Sequence, residues 1–340
     1  MRAIRWGVLG YARIARLSVM PAIVRAAGAE LTGLASRDPA KREAARTQFG
    51  LTRLYASYEE LLSDPEIDAI YNPLPNSLHH EWTLRAAEAG KHVLCEKPLA
   101  LTLRQAREMA DACRRRGVTL MEAFMYRYTA RTRLVLEVID SGRLGEIRAI
   151  HSAFGFLLDR PDSIKLRPEL GGGALYDIGC YPVNFAGLIA DRCAGAEPGS
   201  RRPDAVAACA ALAGGVDQMF SGLLRYPGGL IASVSCGFTA HKHVRSEVIG
   251  TEGVLEVPDT FFDNPGVLTV TRGENREEIP VPLSDRYRAE VEDFSAAIRE
   301  RRAPALGLAE SLRNAEVIDR LLAAAGGYPE QPALPIKTMP

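Results

Sequence analysis

Apolar residues in the first third of the chain come in short blocks, separated by stretches of helical spacing. Ile4–Leu9, Leu31–Ala35, Ala69–Tyr71, His92–Cys95 and Val118–Glu122 read as strands. Ile14–Ala27, Pro39–Phe49, Tyr58–Leu62, Leu78–Ala89 and Leu103–Arg116 read as helices. Gly28, Gly50, Gly90 and Gly117 stand where those helices should end. Strands joined through single helices predict right-handed crossovers and a parallel sheet.

After residue 123 the rhythm changes. Thr132–Asp140 reads as a helix, and Ile147–Phe156 is a long extended run with no crossover helix behind it. Gly179–Ile189 is helical in spacing. Ala205–Ala213, Asp217–Tyr226, Leu230–Phe238, Ser246–Gly250, Val254–Val257 and Leu268–Thr271 are strand-like, several of them joined by Gly or Pro turns. That pattern predicts a mostly antiparallel sheet. Tyr287–Arg299 and Leu308–Ala325 read as closing helices, and residues 195–203, rich in Gly, Pro and Arg, as a surface loop.

Composition narrows the function classes. The chain has 340 residues, enough for two domains of ordinary size, and its 42 basic and 42 acidic side chains leave no global field to gather nucleic acid or anionic lipid. No apolar run is long enough for a transmembrane helix, and the N-terminus lacks the pattern of a signal peptide. Cys95, Cys113, Cys180, Cys193, Cys209 and Cys236 are scattered without a CxxC pair. Reduced thiols in a cytoplasmic protein are expected, with neither a disulfide frame nor a zinc site.

The first strand runs into Gly10-Tyr11-Ala12-Arg13-Ile14-Ala15, a GxGxxG variant with Ala at the second and third glycine positions. In that place Gly10 makes a tight turn, Ala12 lies near a pyrophosphate, and Ala15 lets helix and strand pack closely. The helix start offers free N–H groups to phosphate. An ordinary tight turn of an α/β protein has the same look. At the end of the second strand stand Ser36 and Arg37, with Lys41 one helical turn on. A hydroxyl and two cations suit a 2′-phosphate, so NADP(H) is expected over NAD(H), which remains possible. Asp38 reads as a helix N-cap rather than a ribose ligand. The expected architecture is an α/β Rossmann domain over residues 1–123, followed by a C-terminal α+β domain with a large open, mostly antiparallel sheet over 124–340.

Further motifs carry a resemblance. They are Pro73-Leu74-Pro75-Asn76-Ser77-Leu78-His79-His80, then Gly90-Lys91-His92-Val93-Leu94-Cys95-Glu96-Lys97-Pro98, then Gly171–Pro182 with its Asp177-x-x-x-Tyr181, and Gly250-Thr251-Glu252-Gly253. With these the chain resembles the Gfo/Idh/MocA oxidoreductases along nearly its whole length. The resemblance implies a nicotinamide cofactor, an active site in the cleft between the two domains, and substrates among sugars, inositols and related polyols. It also implies homodimers or homotetramers built through the open sheet. Arg127 and the segments 121–125 and 171–182 look nearest to the glucose–fructose oxidoreductase, sugar ketoreductase and dihydrodiol dehydrogenase branch. Many relatives carry His where this chain has Tyr181, which favours a tyrosine acid.

Reduction of a ketone requires a hydride and a proton for the developing alkoxide. Tyr181 is the expected proton donor, with Lys97 as the cation that lowers its phenol pKa or holds the substrate oxygen. Asp177, four residues before Tyr181, would share its helix face and orient Lys97 or a substrate hydroxyl. The resemblance implies a cis bond before Pro98. Together the residue readings and the resemblance give the expected cofactor-binding group: Gly10, Tyr11, Ala12, Arg13, Ile14, Ser36, Arg37, Lys41, Leu74, Pro75, Asn76, His79, Glu96, Lys97, Glu122 and Arg127. Asn76 and Ser77 could equally be helix caps. Arg160, Lys165 and Arg167 read as substrate contacts or as a solvated loop. His241 and His243 would share a strand face, but no metal site is expected there. Alternatives to a sugar dehydrogenase or reductase are an NAD-dependent glycosidase working by transient oxidation and a non-catalytic cofactor-binding regulator, the latter disfavoured by the intact Lys97–Asp177–Tyr181 set.

Overall fold

The computed structural model describes residues 2–327, so the end of the second expected domain, 328–340, lies outside the described residues. Six strands form the first sheet: β1 (Ile4–Leu9), β2 (Ala29–Ala35), β3 (Arg53–Tyr55), β4 (Ala69–Asn72), β5 (His92–Glu96) and β6 (Leu120–Ala123). Their order is β3-β2-β1-β4-β5-β6, every pairing is parallel, and the order reverses beside β1. In such sheets ligands bind outside the C-terminal strand ends at that reversal. The crossovers are made by α1 (Met20–Arg25), α2 (Pro39–Phe49), α3 (Tyr58–Ser63), α4 (His79–Glu88) and α5 (Leu103–Arg116). Local chemistry sets their ends. Asp38, Ser57 and Thr102 accept N–H bonds at the starts of α2, α3 and α5, and left-handed Gly50 and Gly117 close α2 and α5. The helix expected over Ile14–Ala27 opens instead with a π-helical stretch, Ala15–Val19, ahead of α1.

Helix α6 (Ala130–Asp140) leads into the second sheet, and α7 (Cys180–Cys193) crosses it. The strands are β7 (Ile147–Gly155), β8 (Ala205–Ala213), β9 (Val216–Arg225), β10 (Ile231–Gly237), β11 (His243–Gly250), β12 (Val254–Pro258), β13 (Gly266–Arg272) and β14 (Asn275–Val281). They run in the order β14-β13-β12-β11-β7-β10-β9-β8. All neighbours are antiparallel except β7 and β10, because α7 and two strands intervene before β10 joins β7. Along β9, Phe220 and Leu224 are buried while Met219 and Leu223 are exposed, and β10 alternates likewise with Ile231 outward. One face of this sheet is core and the other is open, with apolar side chains in it.

The closing helices α8 (Arg286–Glu300) and α9 (Leu308–Ala324) return to the first sheet. Trp6 of β1 packs on Phe294 of α8 at 5.4 Å, and its indole N–H donates to Ser295 Oγ at 3.3 Å. Asp319 of α9 accepts from the Leu103 N–H at 2.8 Å, at the start of α5. Helices α8 and α9 thus pack against the first sheet, and α9 also packs against β8 of the second. His241 precedes β11, which begins at His243, so the two histidines do not share a strand face as expected. Among the described residues no helix is long and apolar enough to cross a membrane.

Candidate active site

A cavity of about 670 Å³ opens at the C-terminal ends of β1, β4 and β5. Ala12, Arg13 and Ile14 line one side, Leu74 and Asn76 another, and Glu96 and Lys97 the floor. Asp177 and Tyr181 close it from the second half of the chain, with Lys165 beside them. Residues far apart in sequence thus meet at the reversal point of the parallel sheet.

Lys97 follows β5 directly, and its bond to Pro98 is cis, as expected. Its ammonium donates to the Asp177 main-chain oxygen at 2.6 Å and lies 3.5 Å from Asp177 Oδ1. It also sits 5.1 Å from the centre of the Tyr181 ring. Asp177 lies in a π-helical turn, Leu175–Gly179, that runs straight into α7, so Asp177 and Tyr181 reach the same cavity. The Tyr181 ring stands in an aromatic box of Phe124, Phe154 and Phe261, each at 5.4 Å, and Tyr126 at 5.9 Å. Its hydroxyl points to the Met125 thioether at 3.4 Å.

Charge at the site follows from burial and pairing. Burial raises the Tyr181 phenol well above its ordinary value; Lys97 pulls it down but does not win. Lys97 acts on the phenol in the expected direction, but burial in the aromatic box is the larger effect. Burial also opposes the Lys97 charge, yet Tyr181 when ionised and, at neutral pH, the Asp177 carboxylate outweigh it and hold the ammonium above its ordinary range. Burial opposes the Asp177 carboxylate too, and Lys97 and Lys165 overcome it, holding the group below the usual carboxylate range. At neutral pH the arrangement is a neutral phenol beside a fixed ammonium, which suits proton delivery to a nascent alkoxide.

The turn after β1 fits a dinucleotide. Gly10 has φ +81°, a left-handed conformation that favours glycine, and the first helical turn behind it leaves N–H groups without intrahelical partners. Arg37 and Lys41 are exposed at the end of β2, while Ser36 is buried and its hydroxyl accepts from the Asp38 N–H at 3.3 Å. The Asp38 carboxylate accepts from the Ala40 N–H at 2.9 Å and the Lys41 N–H at 3.4 Å. The acid that a ribose 2′-hydroxyl could have used is therefore engaged in capping α2.

Other expected cofactor neighbours have partners of their own. Tyr11 donates to Gln48 at 2.5 Å. The fully buried His79 ring spans the Pro98 and Leu74 carbonyls at 2.9 and 2.8 Å, and burial lowers its pKa to about 4. It joins the two cavity loops from behind, with Pro75 between Leu74 and the short turn at Asn76. Asn76 reaches across to donate to the Gly171 oxygen at 2.8 Å. Glu96 accepts from the Tyr71 hydroxyl, and Glu122, buried, accepts from the Leu99 N–H at 2.8 Å. Arg127 is turned away from the cavity and pairs with Glu310 of α9 at 2.7 Å. Arg160 and Lys165 do line the cavity, whereas Arg167 pairs with Glu169 at 2.7 Å. Sequence reading missed Ser18 and Tyr287, which also line it; Tyr287 comes from α8 and no motif marks it.

A Rossmann sheet with a phosphate-type turn, an invading lysine and a buried tyrosine defines a nicotinamide-dependent oxidoreductase. The comparisons agree. Residues 4–124 match the oxidoreductase family with an NAD-binding Rossmann fold, and residues 132–256 match the GFO/IDH/MocA C-terminal domain. The chain belongs to the Gfo/Idh/MocA oxidoreductase family. It is 38% identical to a D-xylose 1-dehydrogenase (NADP(+)) of Haloferax volcanii, over 94% of this chain and 97% of that one. It is 34% identical to a dTDP-3,4-didehydro-2,6-dideoxy-alpha-D-glucose 3-reductase of Streptomyces violaceoruber, over 96% of each. A 3-ketoreductase from Actinomadura kijaniata, solved with NADP and TDP-benzene, superposes with a TM-score of 0.88 at 30% identity, covering 95% of this chain and 98% of that one. That ketoreductase has also been solved with a tyrosine replaced by phenylalanine and with a lysine replaced by alanine or glutamate.

Proposed function

We propose that this chain carries out NADP-linked hydride transfer at a CH–OH or carbonyl carbon of a sugar or sugar derivative, with Tyr181 as the proton donor. The observation that carries the reading is the convergence of Lys97, Asp177 and Tyr181 on one cavity, beside the turn that begins at Gly10. The relatives support it: one is a xylose dehydrogenase using NADP(+), another a reductase of a nucleotide-linked sugar. The tyrosine and lysine replaced in the ketoreductase lie as far apart along its chain as Tyr181 and Lys97 do here.

A nicotinamide held in this cavity would supply or accept the hydride at the substrate carbon. In the reductive direction Tyr181 gives its proton to the alkoxide oxygen as it forms. Lys97 holds that oxygen by charge and stabilises the phenolate left behind. Asp177 fixes Lys97 through its main-chain oxygen. The aromatic box keeps water away from the phenol. In oxidation the same groups run in reverse. Gly10–Ile14 would hold the pyrophosphate of the cofactor, and Ser36, Arg37 and Lys41 its 2′-phosphate. Asp38 is taken up in capping and is not offered to a ribose 2′-hydroxyl, and the cations of Arg37 and Lys41 beside it favour NADP.

A second copy of the chain is proposed to cover the open sheet face, since Leu223 and Ile231 are about half exposed there, with Met219 beside them. Sedimentation equilibrium should give a dimer or tetramer; a monomer at micromolar concentration contradicts this. Six unpaired cysteines fit a cytoplasmic setting. The function itself is tested by nicotinamide absorbance with D-xylose, other aldoses and keto sugars. Sugar-dependent turnover, faster with NADP(H) than with NAD(H), is expected. Tight NADP binding without turnover on any of these sugars contradicts the reading.

A further inference from the structure

Gly172 sits where a Cβ would come within 2.6 Å of the Lys165 oxygen and 2.9 Å of the Arg167 nitrogen and oxygen. Only glycine lets this turn close on the Lys165–Arg167 backbone. The closed turn is then bonded, the Gly173 N–H to the Lys165 oxygen at 2.8 Å and the Gly172 N–H to the Arg167 oxygen at 3.0 Å. This docking aims the Lys165 side chain into the cavity. Its ammonium reaches Asp177 Oδ2 at 2.6 Å and lies 5.0 Å from the centre of the Phe156 ring. Asp177 therefore stands between two lysines, in contact with Lys165 and at 3.5 Å from Lys97.

We propose that Lys165 is a positioning residue that engages the Asp177 carboxylate and so leaves the Lys97 ammonium free to serve Tyr181 and a substrate oxygen. This rests on the reading of Lys97 and Tyr181 as the proton-handling pair. An ammonium–carboxylate hydrogen bond is shortest near 2.8 Å, so at 3.5 Å Lys97 has not closed on the carboxylate. Lys97 is faced by Glu96 and Glu122 from β5 and β6, by Asp177, Cys180 and Tyr181 around the start of α7, and by His79 from α4. With Lys165 absent, a like charge is lost and the freed carboxylate turns onto Lys97. Both changes strengthen the Lys97 charge, tie it down, and make the Tyr181 proton harder to release.

The test is competitive acetylation of Lys97 with acetic anhydride in the full chain, read by mass spectrometry between about pH 7 and pH 10. It requires neither substrate nor cofactor, so its outcome is separate from that of the proposed activity. Only free amine reacts, so each unit of raised pKa lowers the Lys97 rate about tenfold. Lys165→Met should slow Lys97 labelling tenfold or more at every pH, and Lys165→Arg should restore it. Lys165→Gln gives the same comparison if the Met variant does not fold. A Lys97 profile in the folded Met or Gln variant that matches wild type overturns the proposal. So does an Arg variant as slow as the neutral ones.

Discussion

Arg127→Met separates a structural arginine from a cofactor ligand. Arg127 reaches Glu310 Oε2 at 2.7 Å and Asn184 Oδ1 at 3.4 Å. Glu310 is 1% exposed, and its other oxygen has no hydrogen-bond partner among the described residues. Removing one member of a buried ion pair costs about 3–5 kcal/mol, because the remaining charge stays dehydrated. Here Arg313 stands 3.9 Å from the same Glu310 oxygen and offers partial replacement, so the lower figure applies, about 3 kcal/mol. At roughly 2–4 °C per kcal/mol for a unit of this size, calorimetry should show a fall of about 6–12 °C in Tm. NADP affinity, measured by titration below that transition, should stay within about twofold. Adding Glu310→Leu should recover much of the loss, since apolar replacement of both partners of a buried pair is often neutral. A variant with unchanged Tm and lost NADP binding would refute the reasoning and return Arg127 to the cofactor site.

Arg37→Asp should weaken NADP binding by about tenfold to a hundredfold, the worth of a charged hydrogen bond, and leave NAD binding nearly unchanged; calorimetric titration with both cofactors checks it, and equal losses for the two would contradict it. Burial raises the Glu122 carboxyl to about 7, so its unfolded form ionises first as pH rises. The Glu122 contribution to stability should therefore be fully present below about pH 4.5 and decline as pH rises towards 7, and the stability difference between wild type and Glu122→Gln should follow that decline. Unfolding free energies from denaturant titration that run parallel with pH for the two proteins across that window would exclude the assignment.

The alternation of strand and helix and the glycine stops made the first sheet legible, because each element there repeats one period with clear ends. β3 escaped notice as three residues at a sheet edge, and β14 because Asn275-Arg276-Glu277-Glu278 carries no apolar alternation on an exposed edge. The parallel pairing of β7 with β10 is a matter of order in space, which periodicity does not encode. Lys97, Asp177 and Tyr181 were legible as a set through their motifs. The second lysine on Asp177, the His79 bridge between carbonyls and the Arg127–Glu310 pair were not. Each joins residues whose meeting depends on how the two sheets pack, and a lone Lys, His or Arg in sequence carries no mark of its partner.

The most direct test is single-turnover hydride transfer, followed through the nicotinamide band, for wild type and Tyr181→Phe with NADP(H) and whichever sugar turns over. Phenylalanine keeps the ring in its box and removes only the hydroxyl, so NADP affinity should hold. The transfer rate should fall by roughly two to four orders of magnitude, the usual worth of a positioned general acid. A rate within a factor of about three of wild type would contradict the account and take the proton from another group, Lys97 or a water held by Asp177.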